Sequence, residues 1–343
     1  MITTALRKQR GFSFWYTKTM LQVSRSMPDI AVLRGGKAEF ALSLSEGQEV
    51  LKSLTKIGYK PLDVLVDRAG NWTVQGVPTD AHYIFTRAHT VVDTTRDARA
   101  PHISLARRMG VTLFFSKGHD VHMDREDMYR LLRMQGFTVP DTTVVRAKAP
   151  LKDDAFRNIW SANHIPLMVR PLVRREGVDS KLVNSYPEFE RIVRDYHGQG
   201  IDVHVISYRK VPTSSLAILP NFRGEKLYTP IWVETFGTTH SIPSASHSMR
   251  AHLHAPDIRK ESMRDIATRV YEALNLSGPA CVDVIPYKDT YMVVNVDRSP
   301  SLRKDGRFMQ SLATTGIDIG QYVHSHIADD VASEIAPYYE LSR

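Results

Sequence analysis

Cys281-Val282-Asp283-Val284-Ile285-Pro286-Tyr287, a turn at Lys288-Asp289, and then Tyr291-Met292-Val293-Val294-Asn295-Val296-Asp297-Arg298-Ser299-Pro300 form the most informative stretch of this chain. Two apolar, β-branched runs around a short polar turn predict a hairpin. Side chains two apart in a strand share a face, so Asn295 and Asp297 project together while Val294 and Val296 face the other way. Asp283 joins them if the register places it on that face. Two carboxylates and an amide oxygen converging from an apolar sheet are hard oxygen donors, suited to Mg²⁺ where it bridges carboxylates and nucleotide phosphates. Acids at strand ends that merely face solvent are the bland alternative.

Upstream of the hairpin, Met263, Ile266, Ala267, Val270, Tyr271 and Leu274 recur at helical spacing, and residues 203–206 and 216–219 read as strands. Between them lies a long polar stretch, 237–256. Its His240, His247, His252 and His254 are irregularly spaced with no nearby cysteine, which favours a solvated loop over a metal site. Residues 165–173 and 181–183 predict two more strands, followed by a helix opened by Ser185, an early Pro187 and Glu188. Asp124 is placed to cap a helix carrying Met128, Leu131 and Leu132. Near the start, Ile30-Ala31-Val32-Leu33 and Gly35-Gly36 predict a buried strand and a turn. A helix with Ser43 and Glu46 as a capping box follows, and then a strand over 62–66. That strand–helix–strand order predicts a parallel sheet, closed by the strand around Val111-Thr112-Leu113-Phe114-Phe115. Residues 81–110 give only short, ambiguous runs.

The chain has 343 residues, 42% of them hydrophobic and 24% charged, so it can bury more than one core. No apolar run is long enough to span a membrane, and the single Cys281, set among apolar neighbours, reads as core rather than reactive thiol. Formal charge is +8 and pI about 9.4, yet Arg7, Lys8, Arg10, Lys18 and Arg25 in the acid-free segment 1–28 supply most of that excess. The body is close to neutral, which weakens a nucleic-acid reading. The leader fits a mobile tail or an early start, an arm that docks on a protein or ribonucleoprotein, or an organellar targeting peptide. A cytoplasmic or organellar-matrix location, a partner held through the leader, a second copy of the chain, and no membrane are the expectations.

The order of these pieces resembles the D-alanine–D-alanine ligases of the ATP-grasp superfamily. The start at Ile30 to Gly36 with Glu39, Ser43 and Leu44 is similar to that family's opening. Met123-Asp124-Arg125 resembles its Met-Asp-Lys, residues 166–171 its strand ending in Lys-Pro, and Asn295-Val296-Asp297-Arg298-Ser299-Pro300 its Glu-Val-Asn-Thr-x-Pro-Gly signature. The resemblance implies an α/β (α+β) fold in three parts after the leader 1–28: an amino-terminal domain with a parallel sheet (29–117), a central lobe (118–205) and a carboxyl-terminal lobe (206–343). It also implies ATP and Mg²⁺ where binding is retained. Arg125 and Arg170 stand at the nucleotide, Glu39, Ser43 and Ser301 at the substrate, and Asp283, Asn295 and Asp297 at the metal.

The departures from that pattern are many. Arginines replace both nucleotide lysines, a planar fork in place of a compact ammonium. Asn295 and Asp297 exchange the family's order of acid and amide. Cys281 stands where an oxyanion-stabilising arginine belongs, and Ser301 where a glycine does. The His-Gly-x-x-Gly-Glu-Asp-Gly segment has no match in residues 88–97. The phosphate loop is matched by residues 174–180 with a single glycine, its Arg174 and Arg175 being candidate phosphate contacts. No tyrosine-rich lid lies between 235 and 256, and Ile206 or Ser207 replaces the acid that meets adenine. Each lost electrostatic group costs roughly 10²–10³-fold in rate. The leading expectation is therefore a ligase-like scaffold without ligase activity that serves in binding. A working carboxylate–amine ligase with a rewired site and a nucleic-acid-associated protein are the rivals.

Overall fold

The computed structural model describes residues 30–37, 39–97, 100–115, 124–150, 152–172, 178, 180–236, 248–251 and 257–327. The leader, Arg174 and Arg175, Met123 and the four histidines of 237–256 lie outside the described residues.

The first sheet grows from β1 (Ile30–Gly35), whose buried residues lie parallel to β2 (Leu62–Val66) on one side and to β5 (Thr90–Asp93) on the other. Strand β6 (Thr112–Phe114) continues the parallel set, while β3 (Trp72–Val74) and β4 (Val77–Thr79) turn back antiparallel at the far edge. The ambiguous stretch 81–110 proves to hold two helices, α2 (Ala81–Phe85) and α3 (Pro101–Met109), on either side of β5. Both helices are short, too short for periodicity to mark them. Gly35 has φ +93°, and a Cβ there would lie 2.2 Å from the Val66 carbonyl oxygen, so this turn requires glycine.

Helix α1 (Phe40–Lys56) starts three residues before the expected cap, so the capping-box reading is corrected. Glu39, with left-handed backbone, occupies the cap position, and Ser43 lies one turn inside. The Ser43 hydroxyl instead accepts the Gly35 amide at 2.7 Å, fastening the helix to the β1 turn. The cap expected at Asp124 is present, its carboxylate accepting the Asp127 amide at the start of α4 (Arg125–Met134).

A second, four-stranded antiparallel sheet runs β7 (Thr142–Val145), β10 (Val203–Ser207), β8 (Leu167–Pro171), β9 (Lys181–Val183). Helices α5 (Asp153–Ala162) and α6 (Tyr186–Gly198) cover one face through Phe156, Phe189 and Val193. The third sheet is built on β11 (Thr213–Phe222). It pairs with β12 (Glu225–Tyr228), with β13 (Val233–Phe236), which carries β14 (Ser248–Ala251), and with the hairpin β15 (Ala280–Tyr287) and β16 (Thr290–Asp297).

Alternation along the hairpin divides its side chains between two cores. Val282 and Val284 pack with Met263, Ala267 and Val270 of α7 (Asp257–Ala273), and with Met128 and Leu132 of α4. Cys281 faces the opposite core, which also holds Phe308 and Leu312 of α8 (Arg307–Ala313), Tyr322 and Val323 of a helix over 319–327, and Ile30, Val32, Val50 and Leu54. Each such side chain is worth about 1.5–3 kcal/mol when fully buried. The first and third sheets thus share one core, while the second sheet has its own and meets the third across a cleft.

Candidate functional site

The hairpin register sets Asp283 directly opposite Asn295, and Cys281 opposite Asp297. The three residues expected to hold a metal therefore do come together. Asp283 is fully buried, and its oxygens are already engaged: Ser215 Oγ donates to Oδ1 at 2.6 Å, and Asn295 Nδ2 and Arg307 Nη1 donate to Oδ2 at 3.0 and 2.7 Å. Burial pushes the Asp283 carboxyl up, against the pull of Arg307, Ser215 and Asn295. Asp297 Oδ1 accepts the Ser299 amide at 3.1 Å. A Mg²⁺ ion needs lone pairs from about six oxygens in octahedral array. Here Asn295 presents its amide hydrogens to Asp283, and a guanidinium faces the same carboxylate. Among the described residues no group of three or more His, Cys, Asp or Glu is placed to hold a metal ion. This donor set does not fit Mg²⁺.

The cation at Asp283 comes from Arg307, the first residue of α8; position 281, two residues before the aspartate, holds an uncharged cysteine. Cys281 itself is buried among apolar neighbours, which holds its thiol well above the ordinary range. No motif or period marks Arg307 in the sequence. Only Gly306, just before the apolar helix 307–313, hints at a helix start there.

The expected substrate residues separate. Glu39 and Ser301 meet through a buried network centred on Glu46, whose carboxylate takes Arg96 Nε at 2.9 Å and Nη2 at 2.7 Å. It also takes Ser301 Oγ at 2.6 Å and the Leu302 amide at 3.0 Å. Arg96 reaches Glu39 at 3.5 Å and donates to the Ser299 carbonyl at 3.3 Å. Ser43 stands apart, its hydroxyl between the Gly35 amide and Thr94 Oγ1. Arg96 has a left-handed backbone at φ 57°, uncommon away from glycine. Despite burial, Glu46, Asp297 and Glu39 raise its pKa. Ser301 turns its hydroxyl inward onto Glu46.

The face between the second and third sheets is built differently. Arg125, opening α4, donates to the carbonyls of Pro171 and Leu172 at 3.3 and 3.4 Å, where β8 ends. Arg170, only 1% exposed on β8, donates Nη2 to Tyr129 Oη at 3.0 Å, and Tyr129 donates to the Val294 carbonyl at 2.5 Å. This chain of bonds ties the second sheet to the third. Among the described residues the Nε of Arg170 has no partner, nor does either ring nitrogen of His204, the residue across from Arg170 in the ladder. His204 lies tilted against Tyr129, with ring centroids 5.5 Å apart. Burial, then Arg170, Arg125 and Arg146, hold its pKa down at about 3, so the ring is neutral.

Between these lobes lies a narrow cleft with a free volume of about 10 Å³, walled by Met168, Arg170 and Ile206 on the second sheet and by Ile285, Met292 and Val294 on the third. Ser207 also lines it, its hydroxyl accepting the His164 amide at 3.0 Å and donating to Asn163 Oδ1 at 3.3 Å.

Comparison with known proteins agrees with this architecture. The family model described as D-ala D-ala ligase C-terminus matches residues 131–328, more than half of the chain. The VanG D-Ala:D-Ser ligase from Enterococcus faecalis superposes with a TM-score of 0.67 at 15% identity, over 87% of this chain and 98% of that one. The D-alanine–D-alanine ligase from Bacillus anthracis, solved in complex with ATP, gives 0.66 at 16% identity over 88% and 97%. The D-alanine–D-alanine ligase from Coxiella burnetii gives 0.69 at 13% identity over 92% and 98%. With its three sheets, its inter-lobe cleft and its hairpin in the order of the ATP-grasp fold, the chain belongs to the D-alanine–D-alanine ligase family.

Proposed function

We propose that this protein is a ligase-like ATP-grasp scaffold that binds a ligand between its lobes and has lost ligase chemistry. The observation that carries the reading is the Asp283–Arg307 ion pair, backed by the Glu46–Arg96–Ser301 network. Ligation through an acyl phosphate needs cations free to meet charge as it builds on the phosphoryl group and on a tetrahedral oxyanion. The cations in this region instead neutralise the protein's own carboxylates.

The face between the second and third sheets supports binding. Arg170 and Arg125 would hold phosphate oxygens and the apolar walls a base; when bound, ATP would supply the phosphoryl group that the related enzymes transfer. No step through it follows from this chain's residues. The acid-free leader, with its five cations, is proposed as the arm that docks the scaffold on an acidic protein or ribonucleoprotein.

Calorimetry with ATP, with and without Mg²⁺, combined with an ADP-release assay over a panel of D- and L-amino acids, tests the reading. The expected result is ATP binding without amino-acid-dependent ADP release. Turnover with any pair, abolished by Asp283→Ala, would establish the working-ligase alternative.

A further inference from the structure

Asp283 sits where the hairpin turns its only fully buried carboxylate toward α8, and three donors converge on it. The Arg307 side chain remains 19% exposed while Asp283 is at 0%, so the guanidinium closes the pocket from its solvent side. In such surroundings each charge depends on the other, because an unpaired buried carboxylate is costly. The carboxylate that would anchor a divalent ion already has its counter-charge, because Arg307 Nη1 stands 2.7 Å from Asp283 Oδ2. The oxygen that Asn295 would offer a metal is not what it turns to Asp283; it donates its amide hydrogen there.

We propose that Arg307 is the resident cation of this site: its guanidinium stands on Asp283 in place of a divalent ion, and the site takes no such metal. The inference goes beyond the loss of ligase chemistry, and its test reads metal binding rather than turnover, so either can fail alone. A single substitution then decides the site's ligand. Removing the guanidinium leaves Asp283, Asn295 and Asp297 in register around an uncompensated buried carboxylate, which a divalent ion can satisfy.

The probe is Mn²⁺ alone, followed by electron paramagnetic resonance on the full chain, with thermal melts in parallel. The wild type is expected to leave millimolar Mn²⁺ free and to melt at the same temperature with and without it. Arg307→Gln is expected to melt lower, to bind a single Mn²⁺ at least about tenfold more tightly than the wild type, and to regain melting temperature as Mn²⁺ is added. Arg307→Lys keeps a cation and is expected to stay silent. Adding Asp283→Asn to Arg307→Gln should abolish the gain. Stoichiometric Mn²⁺ binding by the wild type that Asp283→Asn removes would overturn the proposal, as would a folded Arg307→Gln protein that binds Mn²⁺ no better than the wild type. Should Arg307→Gln fold only with metal, recovery on refolding in Mn²⁺ supports the proposal and failure to recover counts against it.

Discussion

Two regions of the molecule, the Asp283 and Glu46 networks and the face between the second and third sheets, use the same residue types in opposite ways. In the first, Arg307 and Arg96 are each locked to a buried acid, and the hydroxyls of Ser215 and Ser301 are turned onto those acids as well. In the second, Arg170 lies buried with its Nε unpartnered among the described residues, beside a neutral His204 with no partner among them for either nitrogen. A buried polar group without a partner costs free energy, and such groups persist where a ligand can satisfy them. The closed region has the character of a core and the open region that of a binding site.

The comparison can be broken most forcefully in the closed region. Arg96→Met would strand Glu46, which is 1% exposed, and should cost about 3–5 kcal/mol in urea unfolding. A cost near zero would mean that the network is not structural and that Glu46 is free for a ligand.

In the open region the sign of the pH dependence is informative. The folded-state pKa of His204, about 3, lies below its ordinary 6.5. Its contribution is therefore fully present above pH 6.5 and is lost as pH falls toward 3, at up to about 1.4 kcal/mol per pH unit. Comparing chemical-denaturation midpoints across that range, His204→Phe should flatten the profile. An unchanged slope would show that His204 finds a partner or water in solution.

The smallest expected effect separates binding from stability. Arg170→Met should alter unfolding free energy by less than about 1 kcal/mol, because among the described residues its bond is to the Tyr129 hydroxyl and no acid would be left unpaired. It should weaken ATP binding by about tenfold, the value of one charge-assisted hydrogen bond, read by calorimetry. A large stability loss with unchanged affinity would reverse the assignment of the two regions.

Much of the fold was legible because period and punctuation are local. The alternation of 281–297 predicted β15 and β16, and the run from Ile30 to Gly36 predicted β1 and its turn. Asp283 and Asn295 could be anticipated as neighbours since hairpin register follows from a short turn. What was illegible is set by distant parts of the chain. Arg96 finds Glu46 fifty positions away, and Ser301 finds it across 255. Charges carry no periodic signal that names their partners, so Arg96 reads only as part of an unmatched segment and nothing in the sequence singles out Arg307. The same holds for the shared core, where Val32 and Leu54 meet Phe308 and Tyr322 although no local pattern announces it. Glu46 misled for a related reason: its spacing from Ser43 suits a helix cap, and its tertiary partners won.

The account's central claim is that the closed region no longer performs chemistry. Its most direct test is ADP release by the purified full chain with Mg·ATP and D-alanine, D-serine and the remaining amino acids, singly and in pairs. The account predicts release at the no-enzyme background in every well. Sustained, amino-acid-dependent release that disappears in Asp283→Ala would contradict it.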